Sequence, residues 1–475
     1  MSIVKSEARL MYGGRYPRPG YWEDPMTSAG KLKAVFYGDD FTGSSENLAQ
    51  FHRSGVKGKL YLARPSAQTA STDSLSYDVL GFAGTARALS GVELDEELDS
   101  AFSIMRTLNS PLIQYKICST FDSSPTVGSY GAVLARAAAH FGKRDVPVLA
   151  ATPDFGRYTC FGNHFARFAD RIERLDRHPS MSRHPRTPMH EADLRMHLAG
   201  QTDKEFVNVT LPAIRNRSAM EERVFKAFQE GAGVIFDGLE NADLAAVADL
   251  LWARYPTRPM FALAAQGLAQ QLGALWARLG LLSSAEPVKT EIAGVENLLV
   301  LSGSCALQTG RQIAVAEASG WNLVHLDVST IRSDDDAEAV AREAALKAIE
   351  SLVRGRPTII YTARGETGRL PGGDVPAERL GAIYCDVARA VRRAVSLPRI
   401  VFSGGDSSSY AVRTIGAEAL EIAVFDEVQN CHVCRLDAPG DAEVDGLEVM
   451  LKGGQIGADD FFLRAKAGTS GYLAA

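Results

Sequence analysis

Short apolar runs alternate with longer segments of helical periodicity along most of this chain. Apolar runs bounded by Gly, Pro and polar clusters are typical of buried strands, whereas apolar residues spaced three and four apart are typical of helices. The predicted strands are 32–37, 59–63, 78–83, 112–118, 146–150, 206–211, 233–236, 260–264, 298–301, 323–326, 358–361, 399–402 and 449–451. Predicted helices include 219–229, 242–253, 268–279, 308–318, 335–354 and 376–396. This alternation predicts an α/β fold with largely parallel sheets.

A polar break at 281–294 interrupts the alternation. Because 475 residues exceed the size of one ordinary core, we expect two α/β domains, at 31–283 and 290–475. Residues 1–30 are rich in Gly, Pro and Tyr without periodicity, so we expect an N-terminal arm there.

The amino-acid composition limits the classes of protein to which this chain can belong. Hydrophobic residues make up 46% of the chain and charged residues 23%, which is typical of a soluble globular enzyme. The net charge of −6 argues against a nucleic-acid binder, because such proteins carry a basic face. No apolar stretch of about 18 residues predicts a membrane span, and the polar N-terminus does not resemble a secretory signal.

The six cysteines suggest reduced thiols in a cytoplasmic protein. Cys431 and Cys434 form a C-x-x-C pair, but no second pair at zinc-finger spacing completes a four-ligand site. We therefore interpret the pair as two half-buried strand thiols and predict no metal site.

Three turns in the second half share one design, in which an apolar strand runs into small residues. They are Ser302-Gly303-Ser304, the segment 403–409 before a helix predicted to start at Tyr410, and Lys452-Gly453-Gly454-Gln455-Ile456-Gly457. Open α/β sheets bind ligands at the carboxyl ends of their strands, and glycines let the backbone approach a phosphate closely. Lys452 could supply a positive charge to the phosphate. Each turn alone also fits an ordinary capped turn, but three together favour a nucleotide site.

No standard nucleotide motif accompanies these turns. The sequence lacks G-x-x-x-x-G-K-[ST], the H-R-D and D-F-G pair of protein kinases, and the dinucleotide fingerprint G-x-G-x-x-G. Nucleotide binding must therefore use a different arrangement. The missing fingerprint also counts against a dehydrogenase on the same kind of scaffold.

Five short segments, in this order along the chain, resemble those of the four-carbon acid sugar kinases. Gly38-Asp39-Asp40-Phe41-Thr42-Gly43 is similar to the family's A-D-D-x-T-G, and 115–120 lies where the family has K-x-D-S-T-L-R-G. The segments 302–304, 404–407 and 452–457 are similar to its S-G-S, G-G-D-T and K-P-G-x-F-G segments. Only the N-terminal arm lies outside the resemblance.

The resemblance implies an ATP-dependent kinase that phosphorylates a hydroxyl of a small sugar acid. It places the acid on the N-terminal domain, ATP on the C-terminal domain and the chemistry in a cleft between them. On the substrate side it implies Asp39, Asp40, Lys116 and Ser119, with Arg157 in a segment like the family's P-x-x-G-R turn. On the ATP side it implies Ser302, Gly303, Ser304, Gly404, Gly405, Asp406, Ser407, Lys452, Gly453 and Gly454.

Two departures from the family pattern fall on the substrate side. Cys118 stands where the family has Asp, and Asp122 stands in register with its Arg. Exchanging a cation for an acid changes which substrate groups the pocket can bind, so Asp122 is a candidate substrate contact. The segment 118–125 resembles a divergent branch, some of whose members act on branched acids such as 3-oxo-isoapionate. A tetronate or 3-oxo-tetronate stays open as the substrate.

Phosphoryl transfer requires positioning, charge neutralisation and a base near the attacking hydroxyl. Asp40 and Asp406 are the candidate bases, and the sequence does not choose between them. One of Asp39 and Asp40 could instead cap the following helix, and Lys116 or Arg157 could be a solvated surface residue. Mg²⁺ is expected with ATP, held mostly by phosphate oxygens.

Five of the nine histidines fall within one segment, at His164, His178, His184, His190 and His197. Irregular spacing and interleaved arginines favour a surface loop over a metal site, with substrate or phosphate contacts as a further alternative.

The main alternative function is a catalytically inactive regulatory protein that binds a nucleotide or sugar acid, motivated by the altered segment 118–122. Acids retained in both predicted domains, at Asp39, Asp40 and Asp406, favour an enzyme. The sequence does not determine the oligomeric state, although the aromatic N-terminal arm would suit a homodimer contact.

Overall fold

The computed structural model describes residues 32–254, 260–283, 291–365, 375–404, 406–426, 431–454 and 456–469. The expected N-terminal arm and Gly405 lie outside these ranges, as do the side chains of residues 406–409. No helix within the described ranges is both long and apolar enough to cross a membrane.

The N-terminal half contains a parallel sheet with helices on both faces. Its strands are β1 (Ala34–Gly38), β2 (Gly58–Tyr61), β3 (Val79–Ala83), β4 (Leu112–Lys116), β5 (Pro147–Leu149), β6 (Arg157–Cys160), β7 (Asn163–Phe168), β8 (Arg171–Arg174), β9 (Phe206–Val209), β10 (Gly233–Phe236) and β11 (Met260–Ala264). Its helices are α1 (Phe41–His52), α2 (Ala67–Ser74), α3 (Gly91–Thr107), α4 (Tyr130–Phe141), α5 (Leu194–Ala199), α6 (Leu211–Ile214), α7 (Arg217–Gln229), α8 (Asn241–Arg254) and α9 (Gln266–Arg278). The parallel order is β2-β3-β1-β4-β11-β5-β10-β9, and β6–β8 form a separate antiparallel sheet.

The C-terminal half repeats the α/β design and adds a hairpin. Its strands are β12 (Leu298–Ser302), β13 (Asn322–His325), β14 (Thr358–Tyr361), β15 (Arg399–Ser403), β16 (Ala419–Asp426), β17 (Cys431–Asp437) and β18 (Glu448–Lys452). Its helices are α10 (Leu307–Ala318), α11 (Asp334–Val353), α12 (Ala377–Ala394), α13 (Asp406–Thr414) and α14 (Phe461–Ala467). Strands β13-β14-β12-β15-β18 are parallel, and the antiparallel hairpin of β17 and β16 follows them in the sheet.

The two halves share one sheet, which has fifteen strands in the part of the chain that the structure describes. The junction is an antiparallel pairing of β16 with β2, where Ala419 lies opposite Tyr61. Strand β18 is antiparallel to β17, which is antiparallel to β16, so the parallel strands of one half run opposite to those of the other. Two α/β units with largely parallel sheets are present as predicted, but their sheets are joined edge to edge.

Burial on both faces explains why the central strands were easy to predict. Strands β1, β3, β4 and β11 are buried along their whole length, as expected for parallel strands covered by helices on both sides. On one face α1 packs against α9, where the rings of Phe51 and Trp276 stack with centroids 5.4 Å apart. On the other face Phe102 of α3 packs against Tyr37, with ring centroids 6.1 Å apart.

The predicted strands and the helices given above are present within two residues of their predicted bounds. The helix predicted to start at Tyr410 begins instead at Asp406. The antiparallel sheet β6–β8 was not predicted, and neither was the β16–β17 hairpin.

Candidate active site

Asp39 lies at the centre of a buried cluster, directly after β1. The residue is 1% exposed, and its Oδ2 accepts a hydrogen bond from the Cys118 N–H at 3.1 Å. Its Oδ1 is buried without a hydrogen-bond partner. Burial raises the pKa of Asp39 to about 7, a shift that Lys116 opposes and Asp40 reinforces. This carboxyl can therefore gain or lose a proton near neutral pH, as a general base must.

Asp40 has both of its carboxylate oxygens engaged. Oδ1 accepts from the Gly43 N–H at 2.9 Å and caps α1, while Oδ2 pairs with Arg87 at 2.9 Å. Burial opposes ionisation, but the charges of Arg87 and Lys116 hold the pKa of Asp40 below its usual value. The expectation that one of the two adjacent acids caps the helix is confirmed for Asp40.

Lys116 ends β4, and its ammonium group lies against the first turn of α1. A Cβ atom on Gly43 would lie 2.1 Å from Lys116 Nζ and 2.3 Å from Asp40 Oδ1, so glycine leaves the space that the ammonium occupies. Lys116 is buried. The alternative of a solvated surface lysine is therefore wrong.

Arg87 belongs to this cluster, although the sequence analysis missed it. It follows β3, its backbone N–H donates to the Asp39 carbonyl at 3.1 Å, and its Nη1 lies 4.0 Å from Asp122 Oδ2. The charge of Asp40 holds the pKa of Arg87 well above its usual range. The available signal was a basic residue soon after a predicted strand, whereas Arg157 was identified by its resemblance to the family's P-x-x-G-R turn.

The segment after β4 places Asp122 and Cys118 beside the two acids. Asp122 is buried, and its Oδ1 has no hydrogen-bond partner. Burial raises the pKa of the Cys118 thiol to about 11, and Asp122 adds to that shift, so the thiol is neutral. Its Sγ lies 3.0 Å from Thr120 Oγ1. Cys118 is thus a neutral hydrogen-bonding group where the family has an acid.

His164 on β7 holds this segment through the backbone of Ser119. Its Nε2 lies 2.8 Å from the Ser119 carbonyl oxygen, and its Nδ1 lies 2.8 Å from Thr159 Oγ1. A carbonyl only accepts, so Nε2 donates and Nδ1 accepts from the threonine hydroxyl. Burial lowers the pKa of His164 to about 4, which keeps the ring neutral. The surface-loop interpretation is therefore wrong for His164, which positions Ser119.

Arg157 starts β6 and is half-buried. Its Nη1 donates to the Phe155 carbonyl at 2.8 Å, and its Nε is buried without a partner. Burial lowers the pKa of Arg157, and the charge of Asp122 opposes that shift. Strand β6 pairs with β7, whose His164 contacts the Ser119 carbonyl, so Arg157 lies on the strand next to the residue that holds the substrate-side segment.

Unpaired acceptors and cations lie side by side in this cluster. Asp39 Oδ1 and Asp122 Oδ1 are buried carboxylate oxygens without partners, and a buried polar atom normally has one. Such oxygens can accept hydrogen bonds from hydroxyl groups. Lys116, Arg87 and Arg157 can neutralise a carboxylate. The donor and acceptor set fits a small polyhydroxy acid.

The predicted metal-ligand candidates do not form a cage. In the described part of the chain, no group of three or more His, Cys, Asp or Glu side chains is placed to hold a metal ion. His197 lies 2.9 Å from Ser123 Oγ, at the end of the same substrate-side segment. Cys431 and Cys434 lie on β17 as expected, but both are fully buried and not half-buried.

The glycine-rich turns of the second half meet at the carboxyl ends of β12, β15 and β18. Ser302 Oγ is buried without a partner, and the Gly303 N–H donates to the Ser403 carbonyl at 2.9 Å. Ser304 Oγ accepts from Thr309 Oγ1 at 3.0 Å. Adjacent turns at these strand ends are the expected place for a phosphate chain.

Lys452 ties two of these turns together. Its Nζ donates to Thr309 Oγ1 at 3.0 Å and to the Gly453 carbonyl at 3.1 Å, and burial lowers its pKa to about 7. A Cβ atom on Gly454 would lie 2.6 Å from Ser304 Oγ, so glycine permits the turns to touch. The close backbone approach and the orphaned Ser302 hydroxyl fit a phosphate-binding site.

The turn after β15 is described only in part. The φ of Gly404 is 136°, which favours glycine, and its N–H donates to the Lys452 carbonyl at 2.9 Å. Gly405 and the side chains of Asp406 and Ser407 lie outside the described residues, so the predictions for them stay predictions.

The contacts between the two halves lie along β2 and α1. Lys59 pairs with Asp437 at 3.0 Å, and the Arg53 guanidinium lies 4.9 Å from the ring centre of Phe425. The two clusters described above lie at the carboxyl ends of strands that run in opposite directions. The cleft between domains therefore stays a prediction that depends on how the halves approach each other.

Comparisons with known proteins match the two halves of the chain to two domain families. Residues 34–272 match the sugar-binding N-terminal domain family, and residues 299–462 match the nucleotide-binding C-terminal domain family. The 3-oxo-isoapionate kinase of Paraburkholderia graminis is 34% identical over 449 residues, which cover 92% of this chain and 94% of that protein. A 3-oxo-tetronate kinase of Pseudomonas fluorescens is 28% identical and covers 90% of this chain and 95% of its own length.

A crystal structure from Salmonella typhimurium LT2 has a similar fold, with a TM-score of 0.74. It is 20% identical and covers 92% of this chain and 99% of that chain, so the likeness concerns the fold alone. The two domain matches and the full-length relative show that this chain belongs to the four-carbon acid sugar kinase family.

Proposed function

We propose that this protein is an ATP-dependent kinase that phosphorylates a hydroxyl group of a small 3-oxo sugar acid, with 3-oxo-isoapionate as the leading candidate. The observation that carries the proposal is the buried, unpartnered Oδ1 of Asp39, set among Lys116 and Arg87. The relative with 34% identity is named a 3-oxo-isoapionate kinase, and one with 25% identity is named a D-threonate kinase.

Asp39 is the base that the geometry favours. A base must be free to accept a proton from the attacking hydroxyl, and the Oδ1 of Asp39 has that freedom. Asp40, one of the two bases suggested by the sequence, is held by Gly43 and Arg87 and orients the cluster instead. Asp406 stays a candidate that the described side chains do not test.

The substrate carboxylate would lie against the cations of the cluster. Arg87 and Arg157 flank Asp122, and both can donate in pairs to a planar carboxylate. Asp122 Oδ1 would accept a hydrogen bond from a substrate hydroxyl, which suits an acid that carries several hydroxyl groups. The exchange of the family's Arg for Asp at this position supports a branched or hydrated substrate over a plain tetronate.

ATP would be held by the strand-end turns of the C-terminal domain. Ser302 and Ser304 would donate to the phosphates, and Gly454 permits close backbone approach. Lys452 would hold these turns together, and a phosphate bound nearby would favour the charged form of its ammonium group. Mg²⁺ would neutralise the transferred charge and depend mostly on phosphate oxygens. No disulfide joins cysteines among the described residues, which supports a reducing, cytoplasmic location.

The direct test is ADP release from Mg-ATP with a panel of C4 and C5 sugar acids and their 3-oxo forms. We expect turnover with a 3-oxo acid and a loss of about 10² or more in kcat for Asp39→Asn, with the KM for ATP little changed. Glu343→Gln, an exposed acid on α11, is the matched control and should retain wild-type turnover.

Turnover in Asp39→Asn at the wild-type rate would remove Asp39 as the base and favour Asp406. Tight ATP binding without turnover on any acid would favour the regulatory alternative.

A further inference from the structure

One face of α1 carries a polar stripe, defined here as Gly43, Glu46, Gln50 and Arg53. These residues are three or four positions apart, so they share one face of the helix. Gln50 Nε2 donates to Glu46 Oε1 at 2.6 Å, and Arg53 Nη1 donates to Gln50 Oε1 at 2.8 Å. Hydrogen bonds thus link the side chains of Glu46, Gln50 and Arg53 in a row along α1.

The stripe contacts the β16–β17 hairpin of the nucleotide-binding domain. Arg53 stacks over Phe425, and Glu46 Oε2 lies 3.7 Å from His432 Nδ1. His432 is buried, and neither of its ring nitrogens has a hydrogen-bond partner. Buried polar atoms normally have partners, and a separation of 3.7 Å is about 0.5 Å longer than an ordinary N–H···O hydrogen bond. A small approach of the two domains would complete this contact.

At its other end the stripe reaches the substrate cluster. Gly43 makes room for Lys116 Nζ, and Glu46 follows one turn later on the same face. Burial raises the pKa of Glu46, whereas the hydrogen bond from Gln50 and the charge of Lys116 lower it. Glu46 therefore lies one helical turn from the Gly43–Lys116 contact of the sugar-binding domain and 3.7 Å from His432 of the nucleotide-binding domain.

We propose that Glu46 is a positioning residue of the phosphoryl transfer, which accepts a hydrogen bond from His432 and thereby aligns the sugar-binding domain with the nucleotide-binding domain. This inference rests on the proposed kinase function and concerns a residue outside the two ligand clusters. Burial keeps His432 neutral by lowering its pKa to about 4, so the completed bond would be directional and not an ion pair. Transfer between domains needs such alignment, because a misplacement of about 1 Å can reduce the rate about 10²-fold.

The test compares Glu46→Gln, Glu46→Asp and His432→Gln in steady-state kinetics with the acid that the wild-type enzyme turns over. We expect kcat to fall about tenfold or more in Glu46→Gln while the KM for ATP changes less than about twofold, because the ATP contacts lie on the other domain. Glu46→Asp keeps the charge and should retain more activity than Glu46→Gln. Glu343→Gln again controls for an exposed Glu-to-Gln change.

The double variant Glu46→Leu/His432→Leu, compared with the two single leucine variants, tests the contact between the domains, because leucine neither donates nor accepts a hydrogen bond. If both residues act through one hydrogen bond, its kcat should equal that of Glu46→Leu within about twofold. Losses that multiply, or a Glu46→Asp variant no more active than Glu46→Gln, would overturn the inference while wild-type turnover kept the kinase function intact. If Glu46→Gln fails to fold, the kcat of Glu46→Asp is compared with that of the wild type. A lower kcat with an unchanged KM for ATP supports the inference, and a wild-type kcat contradicts it. Absence of wild-type turnover on every acid would reject both the function and this inference.

Discussion

At the scale of single residues, the adjacent carboxyl groups of Asp39 and Asp40 have opposite environments. Asp39 is desolvated and keeps one free oxygen, so its pKa is raised to about 7. Asp40, one residue later, has a cap bond and an arginine, so its pKa is lowered. The resemblance to the family's A-D-D-x-T-G motif predicted that both Asp39 and Asp40 take part in the site. It did not predict which acid is free, because that depends on Arg87, which the fold brings from 47 positions along the chain.

A pH dependence follows from these environments. A base works in its ionised form, so kcat should fall as the pH drops below about 7 and reach a plateau above it. Lys116 lowers the pKa of Asp39, so Lys116→Met should move the midpoint of the kcat profile to higher pH. The measurement is kcat at saturating substrates from pH 5.5 to 9. A midpoint that stays in place or moves to lower pH would contradict the assignment of Asp39.

At the scale of elements, burial decided which strands the sequence revealed. Strands β1, β3 and β11 are apolar on both faces and form continuous apolar runs, so they were predicted with nearly their true bounds. Strand β8 is partly exposed and carries charged residues at both ends, so it has no such signature. The sheet β6–β8, which supplies His164, was therefore missed together with its contact to Ser119.

The first turn of α1 offers a prediction at this scale. Alanine normally stabilises a helix relative to glycine, but a Cβ atom on Gly43 would displace Lys116 Nζ. Gly43→Ala should therefore lower kcat about tenfold or more while thermal stability changes little. Gly273→Ala in α9 is the control, because its nearest neighbours lie at 3.3 Å. Wild-type kcat in Gly43→Ala would show that the position of the ammonium group does not matter.

At the scale of the whole molecule, one sheet joins two domains whose parallel strands run in opposite directions. The cluster around Asp39 and the glycine-rich turns of the C-terminal half lie at the carboxyl ends of strands that run in opposite directions in this sheet. Transfer requires the reacting atoms to come within about 3–3.5 Å of each other. The pairing of β16 with β2, which joins the two domains, must therefore allow them to approach each other.

Domain approach can be measured in solution by small-angle X-ray scattering. We expect a smaller radius of gyration with a non-hydrolysable ATP analogue and the acid together than with either alone, because only both ligands bridge the domains. The Glu46→Gln variant should show a smaller decrease. A radius that does not change under conditions of full turnover would contradict a closing motion.

The sequence by itself determined the α/β class, the positions of the buried strands along the chain, and the acids and glycine-rich turns that follow several of them. These follow from local patterns, since apolar runs and glycine-rich turns are properties of neighbouring residues. The tertiary structure alone decided that Asp39 is the free acid, that Arg87 and His164 belong to the site, and that the two sheets are joined through β2 and β16. Each of these depends on contacts between distant segments, and desolvation and strand pairing of that kind leave no local signature.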